Sequence, residues 1–202
     1  MDEEFRPAFG RGLTMTVAVV GLAVVIFVWA TSGFRDAMLT VPWMLLLAAA
    51  CWAFYWRPRV VVSNGGVRLV NVSRTIDVPW PSITDVETKY ALTLVTVYGR
   101  FAAWAAPAPS AGTALRTAMR SRPLRVGGDD DATTAVTKGD MEGTASGDAA
   151  MIVRRRWERL RTDGFLDEPR LEFDKAPVHW HWEVAVVIVG LTMLSVGSLL
   201  VP

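Results

Sequence analysis

The sequence predicts an α+β membrane protein. Its parts are a transmembrane helical hairpin, a small antiparallel β-sandwich or barrel closed by an amphipathic helix, and a C-terminal transmembrane helix. Three observations carry this. Apolar runs long enough to cross a bilayer lie near both ends of the chain. Residues 57–107 alternate between apolar and polar positions in short stretches broken by tight-turn residues. A later arginine-rich segment places apolar side chains at helical spacing.

Composition sets the bounds. Hydrophobic residues make up 51% of the 202 positions, and they are concentrated in blocks, the pattern that spanning segments produce. A formal net charge of +1 gives no bias toward nucleic acid. The lone cysteine, Cys51, rules out an intrachain disulfide and reads as inert packing.

Residues 1–12 form a short segment of mixed charge, expected on the cytoplasmic side. Residues 13–30 (LTMTVAVVGLAVVIFVWA) carry no charge and reach roughly 27 Å as a helix, enough for the hydrocarbon core. The competing reading is a signal peptide, whose apolar core is typically about 7–15 residues, so an uncleaved span is favoured. Ser32, Gly33, Arg35 and Asp36 predict a tight turn over 31–37, and residues 38–56 a second span with Pro42 in its first turn. Trp52, Tyr55 and Trp56 gather at its end, where amphipathic rings favour the headgroup zone. Ala49 and Ala53 would allow close helix contact. Arg57, Arg59, Arg68 and Arg74 follow this span, whereas the hairpin turn offers Arg35. The positive-inside rule then puts the N-terminus and the soluble part in the cytoplasm.

Strands are expected over 59–63, 67–72, 74–78, 83–89, 91–98 and 101–106. Asn64-Gly65-Gly66 is a hairpin turn of residues that accept positive φ, and Pro79-Trp80-Pro81-Ser82 makes a corner. Trp80 and Trp104 read as core anchors. Residues 121–147 hold few large apolar side chains and predict a disordered insert; its threonines are phosphorylation candidates or part of an inert loop. Asp148 reads as the N-cap of a helix over 149–162, with Val153, Trp157 and Leu160 on one face, Gly164 as terminator and Phe165 packing back. A connector over 165–182 ends in His179-Trp180-His181-Trp182, an interfacial belt. Residues 183–201 read as a third span ending outside, with Glu183 at the interface and Gly190 and Gly197 free to line a contact with the hairpin.

The hairpin VVVSNGGVRLVN (60–71), the corner IDVPWPSITDV (76–86), the pair LTLVTVYGRFAAWAA (92–106) and the helix VRRRWERLRTDG (153–164) together resemble the bacterial pleckstrin-homology (PH) family. That family is typified by the actinobacterial low molecular weight protein antigen 6 PH domain. The resemblance covers 57–164 apart from the insert and excludes the third span. It implies a non-catalytic scaffold or assembly module that docks an unknown membrane or cytoplasmic protein partner at the cell membrane. Inositide-binding members place Lys/Arg clusters around the first hairpin turn, while this turn is Ser63-Asn64-Gly65-Gly66 with Arg68 beside it.

Candidate contacts for a partner or a headgroup are Arg57, Arg59, Arg154, Arg155, Arg156 and Arg159. Arg57 and Arg59 double as topology determinants, and the helix arginines read equally as a solvated face. His179 and His181 lack a third ligand at useful spacing, so no metal and no cofactor is expected. No nucleophile elbow, P-loop or zinc-hydrolase motif occurs, so neither catalysis nor a small-molecule substrate is expected. An accessory subunit of a larger transport or envelope complex, or an anionic-lipid sensor using the arginine helix, remain alternatives.

Overall fold

The computed structural model describes residues 3–109, 144–166 and 174–200. The chain divides into two compact units. One comprises Met1–Phe5, Arg59–Val70 and Ile76–Pro177, the other Arg6–Pro58, Asn71–Thr75 and Val178–Pro202.

The first unit is built on antiparallel strands. β1 (Glu3–Phe5), β2 (Arg59–Val62), β3 (Gly66–Val70) and β4 (Arg74–Pro79) are neighbours in that order. A single 3₁₀ turn over Trp80–Ser82 leads into a second sheet of β5 (Ile83–Glu87), β6 (Ala91–Thr96) and β7 (Gly99–Pro107). The two sheets stay separate, so the expected barrel does not close. The six expected strands all form, with edges shifted by a residue or two, and β1 joins them as an addition. Alternation sets the faces: in β6 Leu92, Leu94 and Thr96 point inward, and in β2 Val60 and Val62 do. With Val67, Leu69, Ile76, Val78 and Val86 they form the core.

Helix α3 (Ala145–Thr162) covers this core with Ala149, Ala150 and Val153 fully buried, and Trp157 and Leu160 partly so. It starts earlier than expected. Thr144, not Asp148, is the N-cap, and its hydroxyl accepts from the Gly147 N–H at 3.1 Å. Residues 145–147 of the expected insert are therefore helical with Thr144 capping them, and the remainder, 121–143, lies outside the described residues. The helix ends on Gly164 at φ +75°, with the Gly164 N–H on the Arg161 carbonyl and the Phe165 N–H on that of Leu160. Phe165 does not pack back; it is 72% exposed.

Two further expectations fail inside the sheets. Trp80 is a core anchor, 2% exposed with its indole N–H on the Ser63 carbonyl at 3.0 Å, but Trp104 is 56% exposed. Ala103 and Ala105 occupy the inward positions of β7, so the residue between them must face out. The Asn64–Gly66 turn leaves Gly65 and Gly66 outside the left-handed region. Gly66 is required for a different reason: a Cβ there would lie 2.3 Å from the Val78 carbonyl oxygen.

The second unit contains α1 (Ala8–Ser32), α2 (Phe34–Cys51) and α4 (Trp182–Ser198), with β8 (Val178–Trp180) leading into the last. Gly33 alone joins α1 to α2; its φ of +95° reverses the chain in one residue, replacing the expected turn over 31–37. Because α2 starts at Phe34, Pro42 sits in its interior and removes a backbone donor there. α2 continues as a π turn over Trp52–Trp56, the Arg57 N–H reaching the Trp52 carbonyl at 3.0 Å. Phe9–Ser32 and Phe34–Trp56 are long and apolar enough to cross a membrane, and few residues in them are buried. α4, at 17 residues, is shorter than those two. It packs on α2 through Val184 and Ser195, and Trp43 donates to Ser198 Oγ at 3.2 Å. A Cβ added at Gly190 or Gly197 would meet nothing within 4 Å, so these positions do not line that contact.

Candidate functional site

The hairpin between β2 and β3 builds a concavity of the first unit. β3 and β4 approach closely at Gly66, and Pro177 fixes the far wall by accepting the Asp77 N–H at 3.0 Å. The result is an open groove of about 590 Å³ lined by Val61, Val67, Val78 and Pro79 together with Ser63, Gly65, Arg68 and Asp77.

Its polar groups are already engaged. Ser63 Oγ donates to the Gly66 carbonyl at 3.0 Å, closing the turn on itself. Arg68 Nε lies 2.5 Å from Asp77 Oδ1, and that hydrogen bond raises the already high guanidinium pKa. A cation held this way balances its own carboxylate, so the groove has no net charge to offer a phosphate. What remains accessible is apolar wall, turn backbone and one pre-oriented ion pair. Such a surface suits an extended peptide segment with apolar or proline side chains.

The six expected arginine contacts do not converge here. Arg57 belongs to the second unit, where its guanidinium donates to the Val72 carbonyl at 3.1 Å and lies 3.6 Å from Glu183. The π turn brings it over the Trp52 ring, 5.9 Å from the centroid. Arg59 faces Glu4 across β1 and β2 at 3.2 Å. On α3, Arg154 donates to the Val86 carbonyl at 2.7 Å, capping the open edge of β5, and Arg156 hydrogen-bonds the Asn64 side chain at the hairpin turn. Arg155 and Arg159 are exposed, one turn apart. Arginine at 154 and 156 therefore holds the helix to the sheets, a role that helical spacing alone does not reveal.

Sequence reasoning also missed a polar cluster in the second unit. His181 is largely buried, with Nε2 2.9 Å from Thr75 Oγ1 and Nδ1 3.4 Å from Glu183 Oε1. Burial lowers its pKa, Arg57 lowers it further, and Glu183 opposes both. The neutral ring with its proton on Nδ1 fits both neighbours, donating to Glu183 and accepting from Thr75. Glu183, its side chain largely exposed, thus faces both Arg57 and His181. Among the described residues no group of three His, Cys, Asp or Glu is placed to hold a metal ion.

Residues 57–145 match the model of the bacterial PH domain family, a stretch that ends at the first residue of α3. No curated protein and no solved structure matches the chain.

Proposed function

We propose, from the premise that residues 57–145 belong to the bacterial PH-domain family, that this domain is the cytoplasmic binding module of an integral membrane scaffold and docks a protein partner in its hairpin groove. The observation that carries the reading is the groove itself: apolar walls, engaged polar groups and a self-neutralised ion pair. In this reading α1, α2 and α4 span the cell membrane with the N-terminus inside and the C-terminus outside. The module is non-catalytic in this reading, and the preference for arginine over lysine suits a high-GC genome.

A photo-crosslinking residue at Gly65, where an added Cβ would meet nothing within 4 Å, tests this in native membranes. A discrete protein adduct supports the proposal; protein adducts no stronger than those formed from Tyr90 overturn it.

A second reading, an anionic-lipid sensor, is favoured by the exposure of Arg155, Arg159 and Arg161 on α3. It predicts that Arg155→Ala/Arg159→Ala weakens liposome capture of the domain. The accessory-subunit reading predicts instead that replacing α1 and α2 by unrelated apolar helices abolishes assembly with the partner complex.

A further inference from the structure

Three arginines of the second unit lie over tryptophan rings. Arg11 stands 5.3 Å from the ring centroid of Trp56, Arg57 5.9 Å from that of Trp52, and Arg74 5.6 Å from that of Trp180. All three pairs sit at one end of the helices. Gly10 abuts Tyr55 so closely that a Cβ would come within 2.2 Å of its carbonyl oxygen, which sets the start of α1 against the end of the π turn. Arg57 lies 3.6 Å from Glu183 at the start of α4, and the His181 N–H donates to the Ser73 carbonyl at 2.9 Å. Trp180 and Trp182, just before and at the start of α4, are 54% and 72% exposed, with ring centroids 6.3 Å apart.

The charges at this end are unequal. Arg57 is balanced by Glu183, but among the described residues neither Arg11 nor Arg74 has a carboxylate within ion-pair distance. A guanidinium held against an indole face keeps its in-plane N–H donors directed outward, the geometry that takes a phosphate. Indole rings favour the headgroup layer of a bilayer, because one edge is apolar and the other donates. At the opposite end of α1 and α2, Arg35 has Asp36 beside it in sequence, and among the described residues no arginine there lies over a tryptophan.

We infer that this end of the helical unit is a binding belt for anionic phospholipids, in which Arg11 and Arg74, supported by Trp56 and Trp180, hold lipid phosphates. The inference rests on the membrane-embedded reading of the helices and is independent of the hairpin groove.

The test uses the full chain reconstituted in nanodiscs of equal phosphatidylcholine and phosphatidylglycerol, with native mass spectrometry counting retained lipids. The expected result is enrichment of the anionic lipid on the wild-type chain. Arg11→Gln alone should lower that enrichment by about fivefold, and Arg11→Gln/Arg74→Gln by well over tenfold. Arg35→Gln should leave it unchanged. Unchanged enrichment in both the single and double variants, with the chain still embedded, overturns the inference alone, as does an equal loss in Arg35→Gln. Release of the wild-type chain from membranes by alkaline carbonate would overturn the embedded reading and the belt with it.

Discussion

The two units of this chain handle their apolar residues in opposite ways. In the sheet unit Val60, Leu69, Ile76, Leu92 and Leu94 are sealed inside, and the exposed positions between them are mostly polar or small. In the helical unit Val19, Leu22, Ile26, Phe27, Leu45, Val186 and Met193 face outward, while its buried positions include Thr14 and Ser195. A Thr14 hydroxyl that donates to the Gly10 carbonyl at 2.9 Å is satisfied within the helix pair. The first pattern is the solution to folding in water, where apolar burial drives the process. The second is stable where the surroundings are as apolar as the side chains, so that close packing and satisfied polar groups must hold the helices together.

Substitutions should separate the units. Trp80→Ala removes a buried indole and its hydrogen bond to Ser63, and is expected to cost the sheet unit about 3–5 kcal/mol. Trp104→Ala, on the outer face of β7, should cost under about 1 kcal/mol. Comparable losses at the two sites would break the assignment of faces. Hydrogen exchange on the full chain in detergent reads both, and protection in α1 and α2 should be unaffected.

Gly66→Ala should cost about 1–3 kcal/mol, because the new methyl meets backbone at Val78 and neither strand can yield freely. The matching change in the other unit, Gly10→Ala, meets the Tyr55 carbonyl and should loosen α1 from the π turn without touching the sheets. Exchange at β2–β4 and at α1 tells the two apart. Arg154→Ala should cost a comparable amount, about 1.5–3 kcal/mol for a charge-assisted bond to the Val86 carbonyl, with its effect confined to α3 and β5.

The smallest expected effect is a pH dependence in the helical unit. His181 has its folded-state pKa lowered, first by burial and then by Arg57, so folding favours the neutral ring. Its contribution is full above the ordinary histidine range near pH 6.5, and it falls away as acidification protonates the unfolded chain more readily than the folded one. Thermal unfolding between pH 7.5 and 5 should show a decline that His181→Gln lacks.

Much of the sheet unit was legible in the sequence because alternation and turn chemistry are local. Period-2 patterning located β2 through β7, and the Pro-Trp-Pro corner separated the sheets. What depended on register was not. Three-residue strands such as Glu3–Phe5 carry too little pattern to announce themselves. The outward face of Trp104 follows only once Ala103 and Ala105 are known to point inward. The groove exists because β3 and β4 nearly touch at Gly66, a tertiary fact behind what read as a turn preference. For the helix, Asp148 and Thr144 are both good caps, and the buried Ser146 and Gly147 decide for the earlier one. In the same way, an arginine-rich face looks solvated until Arg154 and Arg156 are seen to reach back to the sheets.

The contrast between the units is tested most directly by labelling single cysteines in native membranes. In a Cys51→Ser background, cysteine at Leu22, at Val187 or at Tyr90 would be treated with a water-soluble maleimide after permeabilisation. All three positions are well exposed on the chain. Rapid labelling at Tyr90, with Leu22 and Val187 refractory until detergent is added, is the predicted result. Equal labelling at all three would mean that water covers the helices as it covers the sheets, and would contradict the account.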